Sequence, residues 1–158
     1  MESKARTQQH YKQSIQFAEG LSDLSDAQWF APITEGKWST CEIIGHLIPW
    51  DRFLLEQRLP SLMNAKTKLE SPSVQDINTK AALESREKRK EDVIQEFVDE
   101  RRNLLRSLND LSSEVFDQAF AIGKSNLTLG EYFDGLMKHD LHHFQQIIDF
   151  LNALEDLK

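Results

Sequence analysis

Three observations predict an all-α fold, a four-helix bundle with a long crossover between its second and third helices. Glycine and proline are scarce, six and four in 158 residues, which leaves few sites for turns and favours long helices. Apolar residues recur at spacings of three and four over long stretches. No stretch shows the apolar–polar alternation of a half-buried strand. The length and a 39% apolar content suffice to bury one core, so residues 1–158 are read as a single helical-bundle domain.

The first helix is predicted from about Ser3 to Leu21, where Tyr11, Ile15, Ala18 and Leu21 recur at helical spacing and Gly20 marks the end. Ser25, with Gln28 three positions on, predicts a capped single turn, and Pro32 and Gly36 mark the loop after it. Ser39-Thr40-Cys41-Glu42 is a capping box that opens a second helix, about Thr40 to Leu59, with Ile43, Leu47, Trp50 and Leu54 on one face. Pro49 removes a backbone hydrogen bond and predicts a kink one turn after His46, while Pro60 predicts the end. From Ser61 to Gln75 no periodicity is sustained, and the length suits a crossover better than a tight reversal. Helical spacing returns between about Asn78 and Leu111, where the charge run from Arg86 to Asp92 reads as a solvated face that could divide the stretch into a short helix and a long one. Leu111 to Asn126 is predicted as a loop with a turn at Ser113 to Phe116. Thr128-Leu129-Gly130-Glu131 then caps the last helix, about Leu129 to Leu157.

The net charge of −7 leaves no electrostatic footprint for a phosphate backbone, which argues against a nucleic-acid partner. No apolar run approaches the ~18 residues of a membrane span. The start of the chain, Met1 to His10, is polar rather than signal-like, and the single cysteine, Cys41, excludes an intrachain disulfide framework. A soluble, cytoplasmic protein with no membrane association is the expectation.

Three of the five histidines fall between His139 and His143. On a helix His139 and His143 share a face, within an apolar stripe of Leu136, Ile147, Phe150 and Leu154, whereas His142 is turned about 100° away and reads as solvent-facing. A bundle builds a metal site when facing helices project ligands inward at one depth, and His46, between Ile43 and Trp50 on the second helix, is the natural third donor. Three imidazoles leave an open coordination position and suit Zn or Ni. Spacing alone leaves two readings open, a His46, His139, His143 metal site or satisfied core and rim histidines.

Gln146 could hold an imidazole or donate to a bound group, and is the candidate cofactor-binding residue. Glu42 is explained by its capping box, with a role at the metal as the alternative. Asp51 and Asp140 point away from the stripe and are read as surface or supporting groups, and His10, beside Tyr11 on the first helix, as a surface residue with a place lining the cleft as the alternative. Cys41 is read as small and buried, Trp38 and Trp50 as core anchors. No residue is assigned as catalytic.

Two segments, Lys37-Trp38-Ser39-Thr40-Cys41-Glu42-Ile43-Ile44-Gly45-His46-Leu47 and His139-Asp140-Leu141-His142-His143-Phe144-Gln145-Gln146-Ile147, resemble the two signatures of the DinB/YfiT-like superfamily in order and spacing. The resemblance covers essentially the whole chain. It implies a four-helix bundle with a divalent metal, usually Zn or Ni, on His46, His139 and His143. Two departures stand out: many relatives carry Arg-Gly where this chain has Phe144-Gln145, and Pro49 is unusual inside the second helix.

The resemblance further implies a small-molecule substrate, with a low-molecular-weight thiol as the first candidate, and a homodimer as a common arrangement. The leading expectation is a metal-dependent S-transferase that joins such a thiol to an electrophile in detoxification or stress. A metal-dependent hydrolase is the second reading, and a non-enzymatic bundle stabilised by its metal the third.

Overall fold

The computed structural model describes residues 2–63, 73–122 and 124–157. The chain forms α1 (Glu2–Gly20), a 3-10 turn (Leu21–Asp23), α2 (Asp26–Phe30), α3 (Thr40–Phe53), a π-helical turn (Leu54–Arg58) and α4 (Leu59–Met63). After residues 64–72 come α5 (Val74–Arg86), α6 (Lys90–Asp110), a 3-10 turn (Ser113–Asp117), strands β1 (Ala119–Ile122) and β2 (Ser125–Thr128), and α7 (Leu129–Asp156). The four long helices α1, α3, α6 and α7 make the bundle, and α5 packs against α3.

All three capping boxes form: the side chains of Ser25, Ser39 and Thr128 accept from the backbone N–H of Gln28, Glu42 and Glu131, which reach back to the cap N–H. The loop between α2 and α3 closes through a Pro32–Ser39 bridge and turns at Gly36, whose φ of +78° is accessible to glycine without strain. The charged stretch does divide the third helical region, with Glu87–Arg89 linking α5 to α6.

Three expectations are corrected. Helical structure continues past Pro60 to Met63, because the π turn shifts the hydrogen-bond register just before Pro60, with the Leu59 N–H donating to Leu54 O, and so accommodates a residue that has no N–H. The predicted crossover is helical at Ser61–Met63, and α5 begins at Val74; the rest lies outside the described residues. The segment read as a loop with a turn at Ser113 to Phe116 has that turn, at Ser113–Asp117, and also contains an antiparallel hairpin pairing Ala119 with Thr128 through Ile122 with Ser125.

Around the bundle, close backbone packing joins α7 to α1, α1 to α6 and α6 to α3. The fourth seam, between α3 and α7, is splayed, and the two helices meet there through side chains. The core divides along the bundle axis into two apolar clusters. One contains Trp29, Ile43, Leu47, Phe97, Phe144 and Ile147; the other contains Tyr11, Leu54, Leu104, Phe116, Leu129 and Phe133. A buried polar layer lies between them.

Candidate metal centre

The splayed seam is where the three predicted histidines meet. One nitrogen from each of His46, His139 and His143 lies within 4.8 Å of the other two. The ring centroids are 4.7 Å apart for His46–His143, 4.6 Å for His139–His143 and 6.1 Å for His46–His139. His46 is buried and its ring is covered by Trp38 at 4.6 Å, an overlap set up by the tight loop before α3. His143 is half-buried and His139 is exposed at the seam.

Hydrogen bonding prepares two of these imidazoles as ligands. His46 Nδ1–H donates to the Ile43 carbonyl, and His143 Nδ1–H donates to Gln146 Oε1 at 3.0 Å, so that each leaves Nε2 with a free lone pair. Burial, reinforced by the charge of His143, lowers the His46 pKa to about 4, and burial likewise lowers that of His143. Both rings are therefore neutral near pH 7, the state that binds a metal. Three imidazole nitrogens at this spacing, two from rings whose outer nitrogens are already engaged, fit a divalent ion with at least one open position.

One turn along the bundle lies the polar layer, to which each long helix contributes one residue. Arg101 of α6 donates from Nε to Asp51 of α3 at 2.7 Å, and from its two terminal nitrogens to Asp140 of α7 at 2.6 and 3.0 Å. His10 of α1 lies 2.8 Å from Asp140. The guanidinium also sits over the rings of Tyr11 at 5.1 Å and Phe97 at 4.7 Å. Burial pushes the Asp51 carboxyl up to about 6, only partly offset by Arg101. Burial acts the same way on Asp140, but Arg101 and His10 together overcome it and hold that carboxyl well below the usual range.

Two concavities meet at the histidines and share no lining residue. A cavity of about 440 Å³ runs along the α3–α7 seam past His139, Asp51, Trp50 and Tyr132. A smaller groove of about 220 Å³ reaches His143 and Gln146 from the side of Lys37 and Trp38. His139 thus borders the larger cavity and His143 the smaller groove.

The predicted residues are distributed as follows. His46, His139, His143 and Gln146 converge, while His142 is exposed and Glu42 is engaged in its capping box. The histidines do not replace core leucines. The buried face of α7 is Leu129, Phe133, Met137, Asp140, Phe144 and Ile147, which packs toward the bundle, and His139 and His143 lie on the adjacent row facing the open seam. The surface assignments of Asp51, Asp140 and His10 are overturned, since all three are buried and paired. Trp38 and Trp50 are half-buried at the site, and Trp29 is the buried anchor. Cys41 is buried as expected, and desolvation raises its thiol above the usual value despite its place in a first helical turn. Phe144 packs into the core against Phe17 at 4.6 Å.

A model of the DinB superfamily matches residues 7–147. Among solved structures, YfiT from Bacillus subtilis, described as a probable metal-dependent hydrolase with an unusual four-helix bundle topology, superposes with a TM-score of 0.79 at 15% identity, covering 96% of this chain and 87% of that one. No curated protein matches the chain.

Proposed function

Because the chain belongs to the DinB superfamily, we propose that it is a divalent-metal-dependent enzyme of small molecules, with His46, His139 and His143 as the ligands of a Zn or Ni ion and Gln146 as the residue that orients His143. His46, His139 and His143 would hold the ion, which when bound would supply Lewis acidity that lowers the pKa of a thiol or of water. The finer assignment is an S-transferase that joins a low-molecular-weight thiol to an electrophile. The observation that carries it is the pair of separate chambers at the triad, one beside His139 and one beside His143, which suits two co-substrates. Trp38 closes the buried side of His46, and the larger cavity offers an apolar wall to the electrophile's body.

Hydrolysis is the second reading, and one residue favours it. Asp51 lines the larger cavity together with His139, and a carboxyl with a pKa of about 6 is a serviceable general base near neutrality. Purified, untagged protein assayed with a panel of thiols and a chromogenic electrophile is expected to turn over, and His139→Ala to lose that turnover. Activity that survives His139→Ala refutes the metal-dependent reading. Turnover of ester or amide substrates without thiol, abolished in Asp51→Asn, replaces the transferase by the hydrolase.

A further inference from the structure

The larger cavity extends well beyond the histidines. On α7 its wall runs from His139 through Leu136 to Tyr132, and on the facing strand of helix from Leu47 to Arg58. Tyr132 and His139 are seven residues apart, roughly 10 Å of helix. The cavity thus has two ends, one at the metal-ligand candidates and one at Arg58.

Its charges are compensated at one end and open at the other. Arg101 is saturated by Asp51 and Asp140. Arg58 sits over the Phe53 ring at 5.2 Å and lines the cavity together with Tyr132, and its Nε is buried with no hydrogen-bond partner. Among the described residues no carboxylate pairs with it. A buried charged donor left unsatisfied is unfavourable, and an incoming anion relieves it. Between the two ends the walls are Trp50, Phe53, Leu54 and Leu136, an apolar lining within the size range of small-molecule sites.

We propose that this cavity binds a small monocarboxylic acid, with the carboxylate on Arg58, the apolar body along Trp50, Leu54 and Leu136, and the far end beside His139. A monoanion fits better than a phosphate: of the two guanidinium groups lining the cavity, Arg101 is held by Asp51 and Asp140, so Arg58 alone is left to receive a ligand charge and a second one would have no counterpart. That the far end is the reacting end rests on the metal-dependent reading above; the Arg58 contact does not.

Calorimetric titration of the full chain with 4-phenylbutyrate and with its uncharged amide tests the assignment. The acid is expected to bind at least about tenfold more tightly than the amide, as a charge-assisted pair implies. Arg58→Gln is expected to abolish that preference and Arg58→Lys to restore part of it, with thermal unfolding reporting whether each variant is folded. Undetectable binding of the acid, equal binding of acid and amide, or a preference that survives Arg58→Gln overturns the proposal. The preference is expected to persist in His139→Ala, since the anion lies at the other end; its loss there places the carboxylate on the histidines and also overturns the proposal. An Arg58-dependent preference in a protein that turns over neither thiol nor ester and amide substrates leaves this site standing while the enzymatic reading falls.

Discussion

His46 carries two demands at once, to be buried and to remain unprotonated. Its pKa of about 4, against 6.5 for an unconstrained imidazole, means that the unfolded chain takes up a proton that the metal-free folded chain resists. The folded-state pKa is the lower one, so this contribution to stability is present above pH 6.5 and is lost progressively as pH falls toward 4. Chelator-treated protein is expected to lose on the order of 2 kcal/mol through this residue between pH 6.5 and 4.5, a slope absent from His46→Gln; urea unfolding at the two pH values measures it. Gln146 acts on the neighbouring ligand candidate. Without the Oε1 that accepts from His143 Nδ1, the ring is free to rotate or change tautomer. Gln146→Ala is accordingly expected to weaken metal affinity by about 10–100-fold, read by competition with a chromophoric chelator, while Gln146→Glu keeps the acceptor and most of the affinity. Unchanged affinity in Gln146→Ala would remove the residue from the site.

Helix α3 brings His46 to its depth through a contact on its opposite side. A Cβ built on Gly45 lies 2.4 Å from Ser85 Cβ and 2.7 Å from Ser85 Oγ, so α3 and α5 cross where only glycine fits. Ser85 cannot swing away, because a Cβ moves only with its backbone and its carbonyl accepts from Cys41 Sγ. Gly45→Ala is expected to destabilise the protein by about 1–3 kcal/mol despite alanine's better helix propensity. Adding Ser85→Gly should recover much of the loss, and a double-mutant cycle by chemical denaturation measures the coupling. Additive effects would show that the crossing tolerates the extra carbon. At this scale the sequence was most readable where structure is local. Ser25, Ser39 and Thr128 announce three helix starts because a cap and its partner are three residues apart. The β1–β2 hairpin was not readable: four-residue strands with small or polar residues at half their positions are too short to establish a period. Nor was the π turn, since continuing past Pro60 depends on a change in hydrogen-bond register that residue spacing does not encode.

Taken whole, the bundle is two apolar clusters separated by one ionic layer, with His10, Asp51, Arg101 and Asp140 drawn from its four long helices. The histidine triad was legible because the HxxxH spacing on one helix and the placement of His46 on another follow from helix geometry alone. The layer was not, because a lone Asp or Arg between apolar residues reads as a solvated position until its partners, 39 to 50 residues away for the Arg101 pairs, are seen to converge. Such a layer fixes register, since sliding any helix by one turn would strand a charge in a core. Removing the cation should therefore be far more damaging than removing the whole layer. Arg101→Met leaves Asp51 buried without a counterion and Asp140 with His10 alone, a loss on the order of 3–5 kcal/mol at neutral pH. Adding Asp51→Asn and Asp140→Asn should return part of it. The pH dependence separates this from simple loss of packing. In the wild type Asp140 has a depressed pKa, so its contribution is present above about pH 4 and lost on acidification. In Arg101→Met Asp51 loses its cation and Asp140 keeps only His10, so both carboxyls titrate higher than in the wild type, and the variant gains stability relative to wild type as pH falls from 7 to 5. Urea midpoints for the three proteins across that range decide the matter: a constant deficit in Arg101→Met would make the arginine a packing residue, and a deficit that narrows on acidification identifies it as the counterion on which the layer depends.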